Sequence, residues 1–235
     1  MVDCNTLVVI PAQDEETTIG ALIADIRQRY DFDVVVIDDC STDKTAAIAR
    51  ENGALVLPHL RALGAWKATQ TGIRYAYNRG YQNVITLDAD GQHLPEEIAA
   101  LVETAKSETD VVVGSCISRG TILRHIAWQS FRSISGIAVQ DITSGFRWYN
   151  FAAIRALSAK EATMLEFQDL GVLLLLRSLN LSIKEVNVQM NERTNGKSRI
   201  FSSWFKVAYY MLTTALVCLT KAVPLKDVRY QKRFY

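Results

Sequence analysis

Short apolar runs alternate with helical segments through the first half of this chain, and that alternation most constrains how it folds. The apolar runs are continuously hydrophobic, as in DVVVID at residues 33–38, whereas the segments between them carry apolar residues at helical spacing. Strands of this kind are buried on both faces, and helices cross over from one parallel strand to the next. The sequence therefore predicts an α/β fold with a mostly parallel sheet flanked by helices. The predicted strands are residues 6–11, 33–38, 54–57, 83–87 and 110–114, and the predicted helices are residues 17–30, 42–52, 64–79 and 95–106.

The second half of the chain is less regular. Residues 121–139 and the strongly apolar residues 170–179 are predicted to be helical, and residues 182–188 to form a late strand. A polar loop, NERTNGKSR, follows that strand, and an uncharged segment and a basic tail come after it. Since no internal repeat separates these pieces, we expect one large domain with a C-terminal appendage.

Composition excludes several classes of protein. With 49% hydrophobic residues and a net charge of +1 over 235 residues, the chain is neither disordered nor a polycation for nucleic acid. The four cysteines form no CxxC pair and only three histidines are present, which argues against a zinc site or a disulfide framework. A reducing compartment fits better, and the N-terminus lacks the basic segment of a secretory signal, so we expect a cytoplasmic location.

Two aspartates directly follow the predicted strand NVITL. Asp88 and Asp90 are separated by one residue, and alternate residues of extended backbone point the same way. Carboxylate oxygens suit Mg²⁺ or Mn²⁺, which keep waters and take further ligands from substrate phosphates, and Gln92 would add a carbonyl oxygen. A solvated turn that caps the next helix is the competing interpretation. The position at the end of a parallel strand, where ligands bind in such sheets, favours the metal site.

Acidic residues also follow the first two strands. Asp38 and Asp39 end the second strand, where acidic groups accept hydrogen bonds from a ribose or base in dinucleotide folds. Helix capping is the alternative there, and Ser41 is the expected cap. Glu15 follows the first strand and would otherwise serve only the helix dipole. Three acidic strand ends on one rim predict a metal and nucleotide site.

Five segments of the chain, in order, resemble the family-2 glycosyltransferases. They are LVVIPAQDEETTI, VVVIDDCSTDKTAAIA, ITLDADGQHLPEEI, DITSGFRWY and IKEVNVQMNERTNGKSR, and the third is the most specific. The match is strongest with the dolichyl-phosphate mannose synthase and polyprenyl-phosphate glycosyltransferase group. This resemblance implies a Rossmann-like GT-A domain over residues 1–200, with a nucleotide-sugar half at 1–115, an acceptor half at 116–200, and an apolar helix and basic tail at 201–235.

The resemblance also implies roles for individual residues. The implied nucleoside and donor contacts are Pro11, Glu15, Asp39, Ala89 and Arg147; the implied metal ligands are Asp88, Asp90 and Gln92; and the implied phosphate contacts are Arg193 and Arg199. The implied catalytic residues are Asp90, Asp169 and Arg193. The family transfers its sugar with inversion, from a nucleotide diphosphate donor such as GDP-mannose or a UDP-hexose.

The sequence departs from the family pattern at several places. Gln13 stands where an aromatic residue is usual, which weakens the expectation of base stacking. Cys116 replaces an arginine that often follows the fifth strand, and Arg199 replaces a lysine. Glu166 and Asp169 flank Phe167 and Gln168, and either carboxylate fits the acidic residue that the family carries there.

The acceptor decides which chemistry is needed. A polyprenyl phosphate is already an oxyanion and needs only cationic groups, for which the candidates in the acceptor half are Arg119, Arg124, Arg132 and Arg147. A sugar or protein hydroxyl would need a general base, and Asp169 is the candidate. An inactive nucleotide-sugar-binding or scaffold domain is the alternative of another class. A nucleotidyltransferase is disfavoured, because the opening loop PAQDEE lacks the glycines that cradle a triphosphate.

An uncharged segment, residues 207–220, lies near the C-terminus between Lys206 and Lys221. It is too short to span a bilayer, which takes about 20 helical residues. Aromatic residues within 204–210 and the basic tail favour a helix on the membrane surface, so we expect peripheral association of a cytoplasmic protein. Self-association through this helix and packing on the domain are the competing interpretations.

Overall fold

A computed structural model of the protein describes residues 5–106, 109–116, 137–165 and 169–191. The strands in these ranges are β1 (Thr6–Ala12), β2 (Asp33–Asp38), β3 (Leu55–Pro58), β4 (Asn83–Thr86), β5 (Val111–Ser115), β6 (Arg147–Asn150) and β7 (Ile183–Asn187). The helices are α1 (Ile19–Arg29), α2 (Thr45–Glu51), α3 (Ala65–Arg79), α4 (Ile98–Ala105), α5 (Phe151–Ser158), α6 (Lys160–Thr163) and α7 (Leu170–Ser178), with a 3₁₀ turn at Pro95–Glu97.

The seven strands form one mixed sheet in the order β3-β2-β1-β4-β6-β5-β7. The four strands from β3 to β4 are parallel, as the alternating pattern of the first half predicted. β6 is antiparallel to both of its neighbours, and β5 and β7 are again parallel. The sheet is therefore mostly parallel, and one antiparallel strand joins its two parts.

Both faces of the sheet are covered by helices. Along β1, Leu7 and Val9 face one apolar cluster, whereas Val8 and Ile10 face the other, because successive side chains of a strand point to opposite sides. Helices α3, α5 and α7 cover the first cluster, and α1, α2 and α4 cover the second. The continuous hydrophobic runs of the strands have this two-sided burial as their cause.

Several sequence predictions concern residues beyond these ranges. Most of the predicted helix 121–139 lies outside the described residues, but residues 137–139 are described and are not helical. The C-terminal appendage, 201–235, also lies outside them. In the part of the chain that the structure describes, no helix combines the length and apolarity needed to cross a membrane.

Candidate functional site

The loops that follow β1 and β2 are tied together by hydrogen bonds between side chains and backbone. The backbone N–H of Asp14 donates to Ser41 Oγ at 3.0 Å, and Asp14 Oδ1 accepts from the backbone N–H of Thr42 at 2.8 Å. The N–H of Glu15 donates to Thr45 Oγ1 at 2.7 Å. These bonds hold the Glu15 backbone beside the loop that follows β2.

The helix cap predicted at Ser41 is wrong. α2 begins at Thr45, and Ser41 is used instead to accept from the β1 loop. Asp43 organises the helix start, since its Oδ1 accepts from the N–H of Thr45 at 2.9 Å and from Thr45 Oγ1 at 2.5 Å. Burial alone would raise the pKa of Asp43, but these hydrogen bonds outweigh it and hold the pKa below its ordinary value.

Thr18 brings the β1 loop next to the two aspartates after β4. Its hydroxyl donates to the carbonyl of Ala89 at 2.7 Å and lies 3.4 Å from Glu15 Oε2. A hydroxyl has a single hydrogen, so the shorter contact, to Ala89, is the hydrogen bond that it donates. The carboxylate of Glu15 and the Asp88–Asp90 segment therefore face the same edge of the sheet.

The Asp88–Asp90 segment is a turn rather than the extended backbone that the sequence argument assumed. β4 ends at Thr86, and the turn is closed by the N–H of Gln92, which donates to Asp90 Oδ1 at 3.1 Å. Gly91 has a φ of 74°, in the left-handed region that favours glycine. Asp88 and Asp90 are both half-buried, so their carboxylates remain accessible to a ligand.

A histidine that sequence reasoning did not single out supports this turn. His93 is 1% exposed, its Nδ1 accepts from the N–H of Asp88 at 2.9 Å, and its Nε2 lies 3.8 Å from Asp88 Oδ2. Its ring stacks on Phe146, with 5.1 Å between the centroids. The only signal available in the sequence was a histidine close behind a predicted metal segment.

The chain that follows β7 also contacts the turn. His93 and Met190 form an isolated antiparallel bridge, and the N–H of Asn191 donates to the carbonyl of Gln92 at 2.9 Å. Arg193 comes two residues later in the sequence. Arg193, Arg199 and Glu166 lie outside the described residues.

Asp39 is buried and bonded within the protein. It is 3% exposed, and its two oxygens accept from the N–H groups of Leu63 and Gly64 at 2.8 and 2.7 Å. Its Oδ1 also lies 2.8 Å from Nδ1 of His59. These contacts hold the loop that leads into α3. A nucleoside contact by Asp39 stays a prediction, and so does one by Pro11, which is half-buried in β1.

Arg147 is almost fully enclosed. It is 1% exposed, its Nε donates to the carbonyl of Ser144 at 2.7 Å, and its Nη2 donates to that of Ile142 at 3.1 Å. Burial raises the pKa of Tyr149, which lies on the same face of β6, and the nearby guanidinium only partly offsets the effect. The visible role of Arg147 is to hold the loop before β6, and its contact with donor or acceptor stays a prediction.

The remaining candidates lie at the same end of the sheet or just behind it. Asp169 immediately precedes α7 and is 7% exposed, and Cys116 directly follows β5 and is buried. Across the described ranges, no three His, Cys, Asp or Glu side chains cluster as ligands for a metal ion. Asp88 and Asp90 would thus need oxygen ligands from water or substrate, which is how proteins usually hold Mg²⁺.

Comparisons with known proteins agree on one family. The model of glycosyl transferase family 2 matches residues 7–162. The polyprenol monophosphomannose synthase of Mycolicibacterium smegmatis is 27% identical over 87% of this chain and 84% of its own length. The undecaprenyl-phosphate mannosyltransferase of Micrococcus luteus is 29% identical over 83% of this chain and 86% of its own. A UDP-N-acetylglucosamine–dolichyl-phosphate N-acetylglucosaminyltransferase of Methanococcus voltae is 25% identical over 90% and 96%.

Solved structures agree on the fold. Glucosyl-3-phosphoglycerate synthase from Mycobacterium tuberculosis, in complex with phosphoglyceric acid, superposes with a TM-score of 0.70 at 20% identity, over 98% of this chain and 86% of the other. The same enzyme with Mn²⁺, UDP-glucose and phosphoglyceric acid gives a TM-score of 0.68. The mixed sheet described above is therefore of the GT-A type. Because the family model covers well over half of the 235 residues, the chain belongs to glycosyl transferase family 2.

Proposed function

We propose that this glycosyltransferase transfers a hexose, with inversion, from a nucleotide diphosphate sugar to a polyprenyl phosphate. The observation that carries the proposal is the Thr18 contact, which sets the Glu15 loop against the turn bearing Asp88 and Asp90. A nucleoside bound at the first loop would direct its diphosphate toward the second. One relative is named for the synthesis of polyprenol monophosphomannose, and two others for sugar transfer with undecaprenyl phosphate or dolichyl phosphate.

Asp88 and Asp90 are the proposed ligands for Mg²⁺ or Mn²⁺, with Gln92 beside them. Two accessible carboxylates on one turn fit a hard cation that takes its other ligands from a diphosphate and water. A bound divalent cation would neutralise charge on the departing diphosphate. Arg193 and Arg199 are proposed to add to that neutralisation, since a guanidinium matches phosphate oxygens.

The acceptor side is proposed to work without a general base. A phosphate oxyanion can attack the donor sugar without losing a proton. The acceptor half therefore needs cationic groups rather than a general base. Asp169 is 7% exposed at the start of α7, and it takes the role of base only if the acceptor is a hydroxyl. Binding at the membrane surface is proposed to involve residues 204–223 and the basic tail.

A matrix of donors and acceptors tests this function. GDP-mannose and UDP-hexoses are incubated with the full chain and either a short polyprenyl phosphate or free sugars, with Mn²⁺, Mg²⁺ or EDTA. We expect one donor to yield a glycosylated polyprenyl phosphate, detected by mass spectrometry, when Mn²⁺ or Mg²⁺ is present and not with EDTA. If product forms only with free sugars, the acceptor is a hydroxyl group and Asp169 becomes the proposed base. Donor binding without release of nucleoside diphosphate under any condition would identify an inactive binding domain.

Membrane association is tested separately by flotation. The full chain is mixed with vesicles of neutral lipid or with vesicles that also contain anionic lipid, and a chain ending at residue 203 is compared where it remains folded by circular dichroism. We expect flotation of the full chain with anionic vesicles and little flotation of the shorter chain. Equal flotation of both chains would remove residues 204–235 from the proposal.

A further inference from the structure

His93 approaches Asp88 with both of its ring nitrogens. Nδ1 accepts the backbone N–H of Asp88 at 2.9 Å, and Nε2 lies 3.8 Å from Asp88 Oδ2. A ring nitrogen that accepts a hydrogen bond carries no proton, so the ring hydrogen of the neutral imidazole is on Nε2. The ring nitrogen nearer the Asp88 carboxylate, Nε2, therefore carries the N–H group.

The imidazole has little freedom to leave this position. It is 1% exposed, it stacks on Phe146, and its own backbone bridges to Met190. Phe146 is fixed in turn, because its carbonyl accepts the N–H of Gly114 at 2.9 Å. His93 is therefore held by Phe146, which lies just before β6 and is bonded to β5, and by the chain that follows β7.

Each of the two aspartates of the turn has a contact that can orient it. Asp90 Oδ1 accepts the N–H of Gln92 at 3.1 Å, a local contact within the turn itself. The backbone and carboxylate of Asp88 instead face a ring supplied by the packed interior. Groups behind a metal ligand often set its orientation and the affinity for the ion.

We propose that His93 is a positioning residue that holds Asp88 in the orientation needed to bind a divalent cation. The proposal rests on the function proposed above, in which Asp88 and Asp90 hold that cation. His93 itself has no place among the ligands. Its contribution is to anchor the Asp88 backbone through Nδ1 and to keep a polar N–H group beside the carboxylate through Nε2.

Three variants separate these contributions. His93→Phe keeps a ring against Phe146 but removes both nitrogens. His93→Asn places an amide oxygen near the position of Nδ1, and His93→Gln places an amide near that of Nε2. Binding of Mn²⁺ is measured by its EPR signal in the presence of GDP or UDP, and thermal unfolding in EDTA shows whether each variant is folded.

We expect His93→Phe to weaken Mn²⁺ binding by about 10- to 100-fold, the usual effect of losing a group behind a metal ligand. His93→Asn is expected to recover a substantial part of the affinity, because it restores an acceptor for the Asp88 N–H. Unchanged Mn²⁺ affinity in His93→Phe would overturn the proposal. Equal loss in all three variants would also overturn it, since that result indicates packing alone.

Mn²⁺ binding by the wild-type protein distinguishes a failure of the His93 proposal from a failure of the proposed metal site. If the wild type binds no Mn²⁺ with either nucleotide, the metal site itself fails and His93 has nothing to position. If the wild type binds Mn²⁺ and His93→Phe binds it equally well, the metal site stands and only the role of His93 is refuted.

Discussion

Asp90 lies in the turn after β4, half-buried, with one carboxylate oxygen bonded to the N–H of Gln92. Asp90→Asn keeps the size of the side chain but removes the charge that a divalent cation requires. We expect kcat/KM for sugar transfer to fall by at least about 100-fold, the scale of losing one electrostatic contact to a developing charge. The thermal unfolding midpoint in EDTA should stay near that of the wild type.

Asp25→Asn is the matched control for this change, because Asp25 lies on α1, where it pairs with solvent-exposed Arg29. It should leave kcat/KM unchanged. Full activity of Asp90→Asn, with Asp25→Asn behaving normally, would refute the metal assignment at Asp90.

Asp39 is expected to matter for stability even without nucleotide. Asp39→Ala removes the buried carboxylate that accepts from the N–H groups of Leu63 and Gly64 and contacts the ring of His59. We expect the free energy of unfolding to fall by about 1–2 kcal/mol, because these partly buried hydrogen bonds are lost together. Urea unfolding of the nucleotide-free protein measures this, with the exposed Asp31→Ala as control. Equal stability of both variants would contradict the anchoring role of Asp39.

The acidic positions of the site were predictable from the sequence, but their partners were not. Placing Asp39, Asp88 and Asp90 after apolar runs was enough to locate them at strand ends. The hydrogen bonds of Asp39 come from residues distant in sequence, and the His93 ring reaches Asp88 across a turn. The spacing of residues in the sequence reveals neither contact. The extended geometry expected for Asp88 and Asp90 was wrong, because β4 ends at Thr86 and the chain turns through left-handed Gly91.

At the scale of elements, α3 packs unusually close to β1 through Gly72. A Cβ added at Gly72 would lie 2.2 Å from Val9 Cγ1, and Val9 is fully buried. Gly72→Ala gains about 1 kcal/mol of helix propensity but overpacks this contact, at a cost of about 1–3 kcal/mol. We expect a net loss of stability, measured as the free energy of unfolding in urea.

A double-mutant cycle supplies the control for this contact. Val9→Ala alone should destabilise the protein, since it removes buried methyl groups. In that background, Gly72→Ala should become less harmful, because the two methyl groups nearest the added Cβ are gone and only Val9 Cβ, at 3.2 Å, remains close. Additive effects of the two changes would show that the close approach of α3 and β1 does not limit the packing.

The elements that escaped prediction are β6, α5 and the short helix α6. β6 has only four residues, Arg147–Asn150, and begins with a charged side chain. Its segment, DITSGFRWY, was interpreted as a family motif rather than as a strand. A usable signal for α5 was present, because the Asn150 side chain accepts from the N–H of Ala153 and asparagine is a preferred helix N-cap. Long apolar strands and helices identified the parallel part of the sheet, whereas the short antiparallel strand depends on pairing with β4 and β5.

At the scale of the whole molecule, β6 makes the sheet continuous between its two parallel parts. Asp110 lies at the opposite end of the sheet from the candidate site, just before β5, and links three strands. Its carboxylate accepts from the backbone N–H and the hydroxyl of Ser182 at 2.7 and 2.9 Å, and from Asn150 Nδ2 at 2.7 Å. Residues from the ends of β6 and β7 thereby converge on one charged group.

This group is expected to make the stability of the fold sensitive to acid. Burial alone would raise the pKa of Asp110, but hydrogen bonds from Ser182 and Asn150 outweigh it and lower the pKa below its ordinary value. The folded protein thus binds the proton less readily than the unfolded chain. The resulting stability is present in full above the unfolded pKa, near 4, and is lost as pH falls through the lowered folded pKa.

Asp110→Asn removes the titration, so its stability deficit relative to the wild type should be constant near neutral pH and narrow below about pH 4. Ser182→Ala removes the hydroxyl donor and so brings the folded pKa of Asp110 closer to the unfolded one. In that background the deficit of Asp110→Asn should be smaller, and its narrowing should be complete at a higher pH. Urea unfolding between pH 3 and 7 measures both effects, and sugar transfer at neutral pH should be unchanged in both variants, because Asp110 is remote from the site loops. A deficit that widens as the pH falls would contradict the lowered pKa and the role of Asp110 in joining the strands.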